Sequence, residues 1–150
     1  MEREFMLQKI ITFSSSILLS ILAILLCFGV LDALWLGWIA RDWYTTEMAT
    51  LLRENYITWP WVVFYLMYGF VVFVLAVVAN RDKPLYYAGI DGALLGLASY
   101  GAYNLTNYSI VEGFTLFITV VDWAWGTFLT SASAMAGWVG FQKARKPDSI

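Results

Sequence analysis

The chain contains no histidine and one cysteine, Cys27, among its 150 residues. It therefore lacks the commonest protein ligand of zinc and haem, and a single cysteine cannot form an internal disulfide. Cysteine–histidine nucleophiles, zinc sites that use histidine and histidine-ligated haem are excluded on this ground. Walker and dinucleotide-binding fingerprints do not occur either. We accordingly expect neither a metal site nor a cofactor.

Charge is also scarce in this sequence. Charged residues make up 13% and hydrophobic residues 61% of the chain, and the mean hydropathy is +0.69. This balance is far from that of a soluble domain and indicates a membrane protein. The net charge of −2 and the absence of a basic stripe in the sequence argue against nucleic-acid binding. Because no linker rich in Ser, Pro or Gly interrupts the chain, we expect one membrane domain over residues 1–150.

Charged residues divide the sequence into four long apolar segments. They cover approximately residues 10–40, 59–79, 85–108 and 114–141. Each is near or beyond the roughly 20 residues that a helix needs to cross a bilayer core of about 30 Å. The segment NRDKP at 80–84 is typical of a tight turn between the second and third, with Pro84 suited to a helix start. The predicted fold class is all-α, an integral membrane bundle of four transmembrane helices.

The distribution of lysine and arginine predicts the orientation of these four segments. One side of the predicted bundle holds Arg3, Lys9, Arg81, Lys83, Lys143, Arg145 and Lys146. The opposite side holds only Arg41 and Arg53. Since cytoplasmic loops carry the excess of positive charge, both termini are predicted to be cytoplasmic.

The connector on the outer side places apolar side chains at helical spacing. These side chains are Trp43, Tyr44, Met48, Leu51 and Leu52. The pattern is typical of a short helix that lies on the membrane interface, over about 42–55. An ordinary polar connector explains the same pattern equally well.

Two aspartates stand inside apolar segments, in the sequences VLDALWLGWI at 30–39 and VVDWAWGTFL at 120–129. Asp32 and Asp122 each lie three residues before a tryptophan, Trp35 and Trp125. At 1.5 Å per residue, both aspartates are predicted to lie roughly 12–15 Å below the charged residues at the outer ends of their helices. The first and fourth helices therefore each bring one carboxyl group into the outer half of the membrane.

The third segment brings polar residues to the same depth. At about 100° per residue, its small and polar residues fall within an arc of roughly 120° on one helix face. They are Gly89, Gly92, Gly96, Tyr100, Tyr103, Asn104 and Asn107. Close packing against a neighbouring helix explains the glycines. The polar end of this face is predicted to converge with the two aspartates.

This convergence predicts a candidate functional site. An ionised aspartate in the hydrocarbon region costs about 2.5–3.5 kcal/mol, and the predicted spans contain no lysine or arginine to pair with it. Asp32 and Asp122 are therefore candidate catalytic carboxylates, able to bind a proton or cation or to recognise a polar headgroup. The candidate substrate-binding residues are Trp35, Tyr100, Tyr103, Asn104, Asn107 and Trp125. Alternatively, the carboxyl groups only fix the bundle by hydrogen bonds, and the tryptophans are membrane anchors.

Three motifs together carry a resemblance to a known family. They are LDALWLG at 31–37, GALLGLASYGAYNLTN at 92–107 and VDWAWGT at 121–127. In this order and spacing the chain resembles the bacterial predicted membrane proteins grouped as domain-of-unknown-function family 2177. The resemblance implies a four-helix protein of the bacterial inner membrane with no assigned activity or catalytic residue. Genes for such proteins often lie beside genes for fatty-acid or lipid modification, which favours lipid chemistry.

Three classes of function remain open. The first is a lipid-handling enzyme or accessory factor, with membrane lipids as partners and the two aspartates as an acid–base pair. The second is a proton- or cation-coupled carrier or channel; four helices are few for alternating access, so a homodimer is expected in that case. The third is a structural or assembly subunit, in which the aspartates serve the fold alone.

Overall fold

The computed structural model describes residues 2–145, apart from the side chains of residues 2, 5 and 7–11. Lys146 and the side chain of Lys9, both used for the predicted orientation, lie outside what is described. The helical elements in chain order are α1 (Glu2–Leu34), a π-helical turn (Trp35–Ile39), α2 (Arg41–Glu47), α3 (Trp59–Val72), a π-helical turn (Phe73–Val77), a 3₁₀ turn (Val78–Asn80), α4 (Leu85–Ile110) and α5 (Leu116–Ala144). The predicted all-α class is confirmed.

Helix α2 is shorter than the interfacial helix predicted over about 42–55. It ends at Glu47, and Met48 already leaves helical geometry, with φ −115° and ψ 20°. The N–H groups of Leu51 and Leu52 both return to the Met48 carbonyl, which makes a turn rather than another helical turn. Threonines at 45, 46 and 50 contribute to this early end, because β-branched residues have low helix propensity.

The ends of the four long helices lie at two opposite ends of the bundle. One end of the bundle contains helix α2, and we call it the α2 end. At this end α1 finishes and α3 begins, and α4 finishes and α5 begins. The turn between Asn80 and Leu85 marks the opposite end, as the NRDKP sequence predicted. At the α2 end, Thr115 caps α5 by accepting a hydrogen bond from the Ile118 N–H at 3.3 Å.

Glycines bring α4 and α5 into close contact. A Cβ added at Gly92 would lie 2.7 Å from Ala134 Cβ, and one at Gly96 would lie 2.6 Å from the Gly126 carbonyl oxygen. Such distances are far below van der Waals contact, so no larger residue fits without separating the helices. Gly137 likewise allows close contact between α5 and α1, since a Cβ added there would lie 2.5 Å from Ile24. Helix α5 is thereby held between α4 and α1.

Polar residues are concentrated inside the bundle and large apolar residues cover much of its surface. The buried apolar core is formed mainly by α1, α3, the π-helical turn after α3, and α5. It includes Ile24, Phe28, Val72, Val77 and Leu129. Buried polar or charged residues lie among and around them: Ser16, Ser20, Asp32, Asn80, Asn104, Thr119, Thr130 and Ser133. This arrangement suits a protein surrounded by lipid, where apolar surface needs no burial and polar groups must be satisfied internally.

In the part of the chain that the structure describes, two helical stretches are long and apolar enough to cross a membrane. They are Thr12–Ile39 and Trp59–Asn80. Helices α4 and α5 have 26 and 29 residues, so their length is sufficient. Their many Gly, Ser, Thr, Asn and Tyr residues give them a lower hydropathy than the first two. Composition alone therefore marks two membrane spans.

Candidate functional site

Asp32 lies in the last turn of α1, where its side chain is buried with 8% of its surface exposed. Both of its carboxylate oxygens are bound. Oδ1 accepts a hydrogen bond from Trp125 Nε1 at 2.9 Å, and Oδ2 accepts one from the Tyr65 hydroxyl at 2.7 Å. Three helices, α1, α3 and α5, therefore meet at this carboxyl group.

Asp122 lies in the second turn of α5 and is bound in the same way. Oδ1 accepts a hydrogen bond from the Tyr44 hydroxyl at 2.5 Å, and Oδ2 accepts one from Asn104 Nδ2 at 2.6 Å. Burial, together with the neighbouring Asp122 carboxylate, raises the pKa of Tyr44. Tyr44 therefore stays protonated and remains a donor. This contact connects α2 to α4 through α5.

The two aspartates are linked through a stacked tryptophan pair. The indole rings of Trp35 and Trp125 lie parallel, with centroids 4.3 Å apart and planes 5° apart. Trp125 donates to Asp32, whereas Trp35 Nε1 lies 3.4 Å from the Tyr44 hydroxyl that donates to Asp122. Each Asp-x-x-Trp segment therefore supplies a tryptophan to the surroundings of the other segment's aspartate.

Asn104 is fully buried and leaves one acceptor without a partner. Its Nδ2 group donates to Asp122 and also to the Tyr100 carbonyl at 3.0 Å. Its Oδ1 atom has no hydrogen-bond partner among the described residues. A buried acceptor of this kind costs free energy comparable with its lost hydration. The site thus contains more acceptor capacity than its own side chains satisfy.

Three of the other predicted site residues have different surroundings. The Tyr100 ring packs so closely against α5 that a Cβ added at Gly126 would lie 2.0 Å from it. Tyr103 is 54% exposed and lies edge-on to Phe114, and Asn107 donates to the Tyr103 carbonyl at 2.9 Å. The described hydrogen bonds of Tyr103 and Asn107 do not reach either carboxylate. Trp35, Asn104 and Trp125 are the predicted binding residues that the structure joins to the aspartates.

Two donors in the site were not predicted from the sequence. Tyr44 lies in the connector, where its pattern indicated only an interfacial position. Tyr65 lies in an otherwise apolar stretch of α3, and Tyr65 and Tyr68 are the only side chains between Val62 and Phe70 that carry a hydrogen-bonding group. That isolation is a usable signal, because a phenol in a membrane span needs a hydrogen-bond partner.

The charge of the site is not balanced by a described basic side chain. All four donors to the carboxylates are neutral tyrosine, tryptophan or asparagine groups. Among the described side chains, the ion pairs involve Asp82, which lies at the opposite end of the bundle with Arg81 and Arg145. No group of three or more His, Cys, Asp or Glu among these described side chains could hold a metal ion. The chemistry available is therefore that of two carboxyl groups, one free carboxamide oxygen and aromatic rings.

A second polar cluster occupies the opposite end of the bundle and serves as a comparison. Asn80 is buried, and its Nδ2 donates to Asp91 Oδ2 at 2.5 Å. Its carbonyl accepts from Trp138 Nε1 at 3.0 Å, and its Oδ1 accepts from Lys83 at 3.0 Å. Here a lysine lies within the cluster that holds the carboxyl group, unlike the site at the α2 end.

A family model described as "Predicted membrane protein (DUF2177)" matches residues 17–139. The chain belongs to this family. The match includes all three motifs that carried the resemblance, and with them Asp32, Asn104 and Asp122. No curated protein and no solved structure matches the chain. Family membership therefore indicates a membrane protein but no activity, and evidence for an activity must come from the site.

Proposed function

We propose that this protein crosses the bacterial inner membrane four times, with both termini in the cytoplasm. Helices α4 and α5 are about 39 and 43 Å long at 1.5 Å per residue, enough to span the bilayer. Both carry large apolar side chains on their exposed faces: Ile90, Leu94, Leu97, Leu105, Leu116, Phe117, Val120, Phe128 and Val139. In water such surface would be costly, whereas in lipid it is expected. The site at the α2 end then lies in the outer half of the membrane.

We propose further that the protein handles membrane lipids, with Asp32 and Asp122 as its working groups. The observation that carries this proposal is the pair of carboxyl groups, each held by two neutral donors inside a bundle with an apolar exterior. A carboxyl group inside the membrane costs free energy. A purely structural hydrogen bond could be made at a lower cost by an uncharged side chain in its place. In this arrangement the aspartates act as acid–base or binding groups for the polar part of a lipid.

The remaining predicted residues take supporting roles in this proposal. Asn104 orients Asp122, and Trp125 orients Asp32, because each donates directly to that carboxylate. In this proposal Trp35, stacked on Trp125, and Tyr100, packed on Gly126 of α5, form aromatic walls of the site. Tyr103 and Asn107 lie at the end of α4, where they would contact a lipid on its way to the carboxyl groups.

A second candidate function is a proton- or cation-coupled carrier that works as a homodimer. The observation that favours it is the reciprocal contact of the two Asp-x-x-Trp segments, which lie on helices of opposite direction. Inverted-topology repeats form the substrate and ion sites of many carriers, and the two short segments match that arrangement in their opposite direction. A carrier would give ion flux in vesicles that depends on both aspartates.

The proposed function is tested by comparative lipid mass spectrometry of cells. The strains carry the wild-type gene, a deletion, Asp32→Asn, Asp122→Asn or Asp91→Asn, with the amount of protein in the membrane measured for each. Asp91→Asn is the matched control, since it also removes a hydrogen-bonded carboxyl group, at the other end of the bundle.

We expect the deletion to change the lipid profile, Asp32→Asn and Asp122→Asn to reproduce that change, and Asp91→Asn to retain the wild-type profile. If well-expressed variants and the deletion all keep the wild-type profile, lipid handling is wrong. The vesicle flux measurement then becomes the deciding one for the carrier.

A further inference from the structure

The site at the α2 end has a deficit both of positive charge and of hydrogen-bond donors. Two carboxylates receive four neutral donors, one on each oxygen. The nearby Asn104 Oδ1 is fully buried and receives none from a described residue. Since Asn104 Nδ2 is bonded to Asp122, this free oxygen lies beside the same carboxyl group. A ligand that fills the site would need to supply both a positive charge and an N–H or O–H group.

The geometry points to an ammonium group as the ligand of this site, bound between Asp32 and Asp122 with Asn104 Oδ1 as an additional acceptor. An ammonium group carries one positive charge and several N–H donors, so it satisfies both deficits together. This inference rests on the proposed role of the carboxyl pair as a binding site, and it deepens that role by naming the chemical class of the ligand.

The surroundings of the carboxyl groups favour an organic ammonium over a metal ion. Aromatic residues surround the pair, with Tyr65 and Trp125 on Asp32, Tyr44 on Asp122, and Trp35 stacked on Trp125. These rings offer apolar surface to the carbon skeleton of an organic ammonium, a contact that a metal ion would not use. A divalent ion would instead require six or more oxygen ligands, or a cluster of acidic side chains that the described residues do not form.

Two sources could deliver this ammonium group: the headgroup of an ethanolamine phospholipid or a free amine. The experiment uses full-length protein in nanodiscs of phosphatidylglycerol, which contains no amine. Tryptophan fluorescence and circular dichroism are recorded while ethanolamine hydrochloride is added, and sodium chloride of equal ionic strength is added in parallel. A second set of nanodiscs contains phosphatidylethanolamine. The variants are Asp32→Asn, Asp122→Asn and, as the control, Asp91→Asn.

We expect saturable binding of the amine to the wild type and to Asp91→Asn, with affinity weakened roughly tenfold or more in Asp32→Asn and Asp122→Asn. Response to free ethanolamine in phosphatidylglycerol supports a soluble amine. A spectral change that requires phosphatidylethanolamine, and that disappears in Asp122→Asn, supports the lipid headgroup. An equal response to sodium chloride, unchanged affinity in both aspartate variants, or no response in either nanodisc overturns the inference.

The lipid profiles test lipid handling and the binding measurements test the ammonium ligand, so each proposal can be contradicted separately. Lipid profiles that depend on the aspartates, without amine binding, would overturn the ammonium ligand and leave lipid handling in place. Amine binding without any change of lipid profile would support the ligand and contradict lipid handling.

Discussion

The indole rings of Trp35 and Trp125 stack with centroids 4.3 Å apart and an angle of 5° between their planes. The two residues are 90 positions apart in the sequence, and their contact joins the π-helical turn after α1 to the first half of α5. Trp125 additionally donates to Asp32, whereas the contact of Trp35 with Tyr44 is longer, at 3.4 Å. The stack therefore fixes the relative position of the two helices that carry the aspartates.

Replacement of either stacked tryptophan should remove the same spectroscopic signal. Indoles stacked at this distance couple their transitions, so we expect the circular dichroism couplet of this pair to be lost in both Trp35→Phe and Trp125→Phe. The coupling of Trp35 with the edge-on Trp43 would remain in Trp125→Phe. Trp125→Phe should lower the free energy of unfolding by about 1.5–3 kcal/mol, because it also removes a donor to a buried carboxylate. Trp35→Phe should cost about 0.5–1.5 kcal/mol. Trp59→Phe, at an exposed position with 65% of its surface accessible, is the control and should keep the couplet.

Tyr44 should stabilise the fold through Asp122 specifically. Tyr44→Phe removes the hydroxyl that donates to Asp122 while keeping the ring, so we expect a loss of about 1.5–3 kcal/mol in unfolding free energy. In the Asp122→Asn background the same change should cost clearly less, since the charged acceptor is already gone. Thermal unfolding in detergent micelles measures all four proteins of this cycle. Additive effects would show that Tyr44 acts independently of Asp122. Tyr56→Phe, with 59% exposure, is expected to be neutral.

Much of the fold follows from local patterns in the sequence. Helix α3 begins at Trp59 and α4 at Leu85, next to Pro60 and Pro84, because proline suits the first turn of a helix. The convergence of α1, α4 and α5 at Asp32, Asn104 and Asp122 followed from depth and helix periodicity. These inferences use properties of one helix at a time, which a single sequence contains.

Contacts between side chains of different elements were harder to predict. Tyr44 reaches Asp122 only because α2 folds back over the end of α5, and no local pattern specifies that path. Tyr103 shares the predicted wheel face with Asn104, yet it is 54% exposed whereas Asn104 is fully buried. A helical wheel gives direction around one axis, whereas burial depends on which side chains the neighbouring helices cover.

Gly126 should tolerate no side chain. A Cβ there would lie 2.0 Å from the Tyr100 ring, which is held between α4 and α5, so Gly126→Ala must displace the ring or separate the helices. We expect a loss of about 2–4 kcal/mol in unfolding free energy, or failure to accumulate in the membrane. Gly29→Ala is the matched control in α1, since an added Cβ there meets no atom within 4 Å. That control should be neutral or more stable by up to about 1 kcal/mol. Equal melting temperatures for the two variants would contradict the packing described here.

Asp82 should make stability depend on pH in the acidic range. Its hydrogen bonds to Arg145 and Arg81 hold the pKa of the Asp82 carboxyl below its usual value of 3.8. A carboxyl group with a lowered pKa in the folded state stabilises that state above pH 3.8, and the stabilisation is lost as the pH falls through the lowered pKa. The melting temperature of the wild type should therefore fall more steeply below pH 4 than that of Asp82→Asn. The difference should shrink in high salt, because the pair is exposed. Asp42→Asn is the control, because it removes a carboxylate outside this ion pair, and we expect its melting temperature to fall with pH as steeply as that of the wild type. If the melting temperature depends on pH in the same way for all three proteins, the ion pair contributes nothing to the folded state.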